Sequence, residues 1–130
     1  MWRTMLMKWG PALAFYLAWP AVALVVWGEL KPTPSEIETL VWDKALHFIA
    51  YFGLGGILCM ALKGDRRVLA AILGLAALGG VLEVVQGFTG RDASFFDEAA
   101  NILGAFCGAG AGWLLIKALR PKILVPVKRD

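Results

Sequence analysis

Residues 68–88 read VLAAILGLAALGGVLEVVQGF, an apolar stretch that decides the fold of this chain. Its one ionisable residue is Glu83. A helix needs about 20 consecutive, mostly apolar residues to cross the hydrocarbon core of a bilayer, so this stretch predicts a transmembrane helix. Residues 9–27, 46–62 and 99–119 form further apolar runs of similar length. The sequence therefore predicts an all-α, polytopic membrane protein with four transmembrane helices joined by short loops.

The composition favours the same fold class. Hydrophobic residues make up 59% of the chain and charged residues 18%, whereas soluble domains are about 45–50% apolar and about 25% charged. The 130 residues fit one domain, 1–130, that ends in a basic tail at 120–130. The net charge is only +3 and no basic block is interleaved with aromatic residues, which argues against a nucleic-acid partner. Cys59 and Cys107 lie inside apolar runs, where we expect small buried side chains rather than a disulfide.

The lysines and arginines predict the orientation, because cytoplasmic loops are enriched in these residues. Ten of the 13 basic residues lie at the two ends of the chain or between the second and third apolar runs: Arg3, Lys8, Lys63, Arg66, Arg67, Lys117, Arg120, Lys122, Lys128 and Arg129. The other two connections and the helix ends beside them hold most of the acidic residues: Glu29, Glu36, Glu38, Asp43, Asp92, Asp97 and Glu98. We therefore predict an up-down bundle with both termini cytoplasmic and the acidic loops outside.

The N-terminal segment has a second interpretation, as a cleaved signal peptide. Arg3 and Lys8 precede an apolar stretch, and Ala21-Val22-Ala23 resembles a cleavage site. The apolar run continues to Trp27, where a mature soluble protein would begin with polar residues. We therefore expect this segment to stay attached as the first transmembrane helix.

Polar residues repeat along one stripe of the second helix. Spacings of three and four residues place Lys44, His47 and Tyr51 on this stripe, with Asp43 one turn before His47. We expect Asp43 to hold one nitrogen of the His47 ring and to leave the other for a ligand. The helix thus presents an acid, a base and a cation near one end.

The third and fourth helices bring further polar residues to the same end of the bundle. Glu83 and Gln86 lie one turn apart, and Arg91 follows before Asp97 and Asn101. A buried carboxylate such as Glu83 costs about 2.5–3.5 kcal/mol on insertion scales unless it is paired inside the bundle. The predicted ligand-binding residues are Asp43, Lys44, His47, Tyr51, Glu83, Gln86, Arg91, Asp97 and Asn101. The alternative is that these side chains only join helices, although such bonds average about 0.6 kcal/mol.

Two other features predict structural roles rather than chemical ones. Gly104, Gly108 and Gly112 form a small-residue stripe on the fourth helix that lets a neighbouring backbone approach closely. Ser94 fits the N-cap of that helix better than it fits a nucleophile. The chain contains no GxSxG, HExxH, P-loop or CxxC pattern, so no standard catalytic motif defines catalytic residues, and the sequence indicates no cofactor and no metal site.

Three segments together resemble the VanZ-like family. They read DKALHFIAYFGLG at 43–55, EVVQ at 83–86 and RDASFFDEAANILG at 91–104, in that order on the second, third and fourth helices. The resemblance covers roughly residues 43–108. It implies a protein of the bacterial cytoplasmic (inner) membrane, from a family named for low-level resistance to the glycopeptide antibiotic teicoplanin. It does not by itself imply a reaction.

Three functions fit these expectations. The first is binding of a polar or anionic headgroup, such as that of a lipid-linked cell-wall precursor or a glycopeptide, with Arg91 and Lys44 supplying positive charge. The second is an assembly subunit of a larger membrane complex, whose polar residues serve helix packing. The third is an enzyme acting on a lipid headgroup, with His47 as general base or nucleophile and Asp43 as its orienter. An open cavity favours binding, whereas internally satisfied polar groups favour assembly.

Overall fold

A computed structural model describes residues 2–31, 40–89 and 93–120. The described residues form four helices and no strand. The helices are α1 (Trp2–Glu29), α2 (Leu40–Ala61), α3 (Arg67–Gln86) and α4 (Phe95–Leu119). Each contains a segment long and apolar enough to cross a membrane. The prediction of an all-α protein with four candidate membrane-spanning helices is confirmed.

The helices extend beyond the apolar runs at several ends. α1 begins at Trp2 rather than near residue 9, α2 at Leu40 rather than near 46, and α4 at Phe95 rather than near 99. The reason is that hydrophobicity marks the part of a helix inside the hydrocarbon core, whereas helical hydrogen bonding continues into the polar turns beside it. Residues 121–130 of the predicted basic tail lie outside the described residues.

The closest packing joins α2 to α4. A Cβ atom at Gly104 would overlap the carbonyl oxygen of Phe48, and one at Gly108 would overlap that of Phe52. In the other direction, a Cβ atom at Gly55 would overlap the carbonyl oxygen of Ala105. The two backbones therefore touch with no side chain between them, as the small-residue stripe predicts.

The core lies along this seam. Tyr51, Leu54, Cys59 and Ala105 are almost fully buried there. Large apolar side chains on the outer faces of all four helices are exposed, as lipid-facing residues of a membrane bundle would be. Both cysteines are free, as expected, but Cys107 is exposed rather than buried because it faces away from the seam.

Candidate functional site

Polar side chains gather at one end of the bundle, where α1 and α3 end and α2 and α4 begin. Six of them are buried: Glu29, His47, Glu83, Gln86, Asp97 and Asn101. We call these six, together with Asp43, Lys44, Tyr51 and Glu98, the polar cluster. Eight of the nine residues predicted for the site belong to it. The ninth, Arg91, lies outside the described residues.

Asn101 connects α4 to the His47 ring. Its amide nitrogen Nδ2 donates to Glu98 Oε2 at 3.3 Å, and its oxygen Oδ1 lies 3.0 Å from His47 Nδ1. A carboxylate only accepts hydrogen bonds, so the amide nitrogen must face Glu98 and the amide oxygen must face the ring. His47 Nδ1 therefore carries the hydrogen and donates it to Asn101. In the neutral ring, Nε2 then holds a lone pair.

Asp43 is further from the ring than the sequence predicts. Its Oδ1 lies 3.8 Å from His47 Nε2, beyond hydrogen-bonding distance, whereas Asn101 makes a contact of 3.0 Å. The residue that orients His47 is thus Asn101 rather than Asp43. Asn101 can reach the ring because Gly104, one turn later, brings the α4 backbone against α2.

Glu83 and Gln86 hold the end of α3 against its neighbours. Glu83 Oε2 accepts a hydrogen bond of 2.9 Å from the backbone N–H of Ser94, the N-cap residue of α4. A negative charge is favourable at this end of a helix. The amide of Gln86 donates to the backbone oxygen of Glu29 at 2.9 Å and so satisfies a carbonyl at the end of α1. Ser94 is the expected N-cap, although its side chain makes no capping bond.

Lys44 and Asp97 join α2 to α4 through an ion pair. The distance from Lys44 Nζ to Asp97 Oδ1 is 3.1 Å. The Asp97 side chain is buried, while that of Lys44 is 35% exposed. The cation that the sequence assigns to a ligand is therefore already in contact with an acidic partner.

Glu29 and Glu98 belong to the cluster although they were not among the predicted site residues. Glu29 is 7% exposed, and its Oε1 lies 3.6 Å from His47 Nδ1. Its carboxylate also interacts with the Tyr51 hydroxyl of α2. The available signal is that Glu29 follows the first apolar run by two residues, so a carboxylate there lies at the bundle end of α1.

Gly79 has no side chain and so leaves room for polar groups of the cluster beside the α3 backbone. A Cβ atom there would lie 2.5 Å from Glu98 Oε2, 2.9 Å from Asn101 Nδ2 and 3.1 Å from the Tyr51 hydroxyl oxygen. Any side chain at this position would displace polar groups from both α2 and α4. Only the absence of a side chain lets these groups meet against the α3 backbone.

The described cluster carries more negative than positive groups. Five carboxylates surround Lys44 and the neutral or charged ring of His47: Glu29, Asp43, Glu83, Asp97 and Glu98. One potential ligand atom each from Asp43, His47 and Asp97 lies within 4.8 Å of the others. The charge of the whole site also depends on Arg91, which lies outside the described residues.

A groove between α1 and α2 leads into this cluster. Its volume is about 410 Å³, within the range of about 300–1,000 Å³ that is typical of small-molecule sites. Glu29, Asp43 and His47 form its polar end. The rest of the lining is apolar: Ala21, Leu24, Val25, Gly28, Leu46, Ile49, Ala50, Gly53, Leu54 and Ile57. The groove is therefore amphipathic along its length.

Comparison of the chain with protein-family models, curated proteins and solved structures gave no match.

Proposed function

We propose that this chain is a VanZ-like protein of the bacterial cytoplasmic membrane that binds an amphipathic cell-envelope ligand, such as a lipid-linked cell-wall precursor, in the groove between α1 and α2. The family assignment rests on the three sequence segments alone. The observation that carries the binding function is the amphipathic groove itself, which joins Glu29, Asp43 and His47 to a continuous apolar wall.

The groove matches a ligand with a polar head and an apolar chain. From Asp43 to Ile57, α2 rises about 21 Å at 1.5 Å per residue, about two thirds of a hydrocarbon core of about 30 Å. A lipid chain lies along Ile49, Gly53 and Ile57, while hydroxyl or amine groups of the head meet the carboxylates at the polar end. Lys44 is paired with Asp97, and Arg91, the other cation expected to meet an anionic head, lies outside the described residues.

The alternative of an assembly subunit has less support. If the polar residues served only to join helices, their hydrogen-bonding groups should satisfy each other. Gln86 and Asn101 do so. Among the described residues, however, Glu83 Oε1 is buried without a hydrogen-bond partner. Buried polar atoms usually have partners, so this oxygen favours a site that receives a ligand.

The enzymatic alternative depends on His47. Its ring lines the groove, where Nε2 could accept a proton from a bound headgroup. No nucleophile or leaving group is defined in the described residues, so binding remains the function that we propose.

Filling the groove tests the binding function. Gly53 lines it, and no atom lies within 4 Å of a Cβ placed there, so Gly53→Leu enters the groove without disturbing the helix seam. We expect this variant to bind a photoreactive polyprenyl phosphate or phosphatidylethanolamine at least about tenfold more weakly than the wild type, a loss of about 1.4 kcal/mol. Crosslinking in vesicles with each lipid separately measures the binding and shows which head is preferred.

Gly74→Leu is the matched control, because Gly74 is also exposed and unhindered but lies on α3 outside this groove. It should bind both probes like the wild type. If the two leucine variants are crosslinked equally, the groove is not the binding site.

The orientation has its own test. We propose that both termini are cytoplasmic because the basic residues concentrate there and between α2 and α3. Green fluorescent protein fused after Asp130 should fluoresce, since it folds in the cytoplasm. Alkaline phosphatase inserted between α1 and α2 should be active, since it needs the outer side. The reverse pattern of the two reporters would refute the proposed orientation.

A further inference from the structure

Asp43, His47 and Asp97 are close to the arrangement of metal ligands. One ligand atom from each lies within 4.8 Å of the other two. Atoms that coordinate one Zn²⁺ ion tetrahedrally at about 2.1 Å lie about 3.4 Å from each other. The three groups come from the beginnings of α2 and α4, where the glycine seam holds both backbones in place. Small side-chain movements are therefore enough to bring them around one ion.

The hydrogen bond between His47 and Asn101 leaves one ring nitrogen of His47 able to bind a metal ion. Nδ1–H donates to Asn101 Oδ1 at 3.0 Å, which leaves the Nε2 lone pair on the other side of the ring. Metal-ligating histidines almost always donate their second ring N–H to an oxygen in this way. Asp43 Oδ1 lies 3.8 Å from Nε2, a distance that is longer than a hydrogen bond. A cation between them would stabilise both.

Glu83 provides an independent observation. This side chain is 6% exposed, and its Oε1 has no hydrogen-bond partner among the residues that the structure describes. It lies near enough to His47, Asp97 and Asp43 for its charge to interact with theirs. A buried carboxylate oxygen without a donor is destabilising unless a cation or ligand satisfies it.

We propose that Asp43, His47 and Asp97 bind one divalent transition-metal ion of the Zn²⁺ or Mn²⁺ class. Carboxylates alone would suit Ca²⁺ or Mg²⁺, but an imidazole nitrogen in the set favours the transition metals. Lys44 competes for Asp97, from which its Nζ is 3.1 Å distant. Because the Lys44 side chain is 35% exposed, its ammonium group can withdraw toward solvent when the ion binds.

The ion would change which headgroups the groove accepts. This step rests on the proposed function. Without a metal, the carboxylates of Glu29 and Asp43 at the polar end accept hydrogen bonds from hydroxyl or amine groups of a head. With a divalent ion on Asp43 and His47, the same end of the groove offers a Lewis acid to a phosphate or carboxylate oxygen. A lipid phosphate would then be held by the ion rather than by Lys44.

The single histidine of the chain gives a direct test in the wild-type protein. The protein should be purified through a tag without histidine, stripped with a chelator and labelled with ¹⁵N-histidine. We expect one equivalent of Zn²⁺ to shift the Nε2 resonance while Nδ1 stays protonated. Unchanged ring resonances at saturating Zn²⁺ would overturn the proposal, and this result needs no variant to fold.

Calorimetric titration with Zn²⁺, Mn²⁺, Ca²⁺ and Mg²⁺ gives the second readout. Asp43→Asn and His47→Gln should each weaken Zn²⁺ binding at least about tenfold, since each removes a ligand. Glu29→Gln is the control, because it removes a carboxylate of the same cluster that is not in the ligand set. If Glu29→Gln and Asp43→Asn lose affinity equally, the ion is attracted only by the overall charge and the site assignment fails.

The lipid and metal proposals can fail separately. Gly53→Leu leaves all proposed ligands of the ion in place, so this variant should bind Zn²⁺ like the wild type even where it loses the lipid probe. Loss of Zn²⁺ binding in Gly53→Leu would contradict a metal site that forms without lipid.

Discussion

Replacing Gly108 with alanine is expected to lower the free energy of unfolding by about 3 kcal/mol, the upper end of the usual effect of overpacking a core. The added Cβ would overlap the carbonyl oxygen of Phe52 on α2. That atom belongs to a helix backbone and cannot turn aside as a flexible side chain would. The two helices must therefore separate along the seam that also positions His47 and Asn101. Unfolding of the detergent-solubilised protein, followed by circular dichroism, measures the loss.

Gly110→Ala is a matched control on the same helix, because no atom lies within 4 Å of its added Cβ. Alanine is favoured over glycine in a helix by up to about 1 kcal/mol, so this variant should be as stable as the wild type or slightly more stable. Equal unfolding midpoints for Gly108→Ala and Gly110→Ala would show that α2 and α4 do not pack backbone to backbone.

Replacing Asn101 with leucine is expected to have the second largest effect. Asn101 is fully buried and contacts both His47 Nδ1 and Glu98 Oε2. Leucine has nearly the same size but offers neither group a hydrogen bond. A buried polar group that loses its partner costs about 1–3 kcal/mol, so we expect a total loss of about 3 kcal/mol. The ¹⁵N resonances of His47 should also show that Nδ1 is no longer the preferred site of the hydrogen.

The control for Asn101 is Leu103→Ala, two residues later on the exposed face of α4. It removes apolar atoms that are already outside the core and should change stability little. If Asn101→Leu unfolds like Leu103→Ala and leaves the His47 resonances unchanged, Asn101 does not orient the ring.

The sequence was sufficient for the features that depend on periodicity and length. Four apolar runs predicted four helices, and the spacing of Gly104 and Gly108 predicted a close helix contact. Spacing within one helix also predicted that His47 and Tyr51 share a face. These inferences succeed because each helix has a regular rise and rotation, whatever its neighbours are.

The sequence was insufficient for contacts between helices. It paired His47 with Asp43 because both lie on α2, whereas the shortest contact of the ring is with Asn101 on α4. It also left Glu29 out of the site, because helix periodicity does not show that the end of α1 packs beside His47. The assignment of Lys44 to a ligand stays a prediction, and spacing alone does not give the distance of 3.1 Å between its ammonium group and Asp97.

The groove between α1 and α2 also determines how a ligand arrives. Its apolar wall is formed by two helices that are each long and apolar enough to cross a membrane. In a bilayer, a lipid that binds there as proposed would enter sideways between these helices, without leaving the membrane or passing through water. Occupancy then depends on the mole fraction of the lipid in its leaflet rather than on an aqueous concentration. A weak intrinsic affinity is therefore sufficient for a lipid that is abundant in the surrounding membrane.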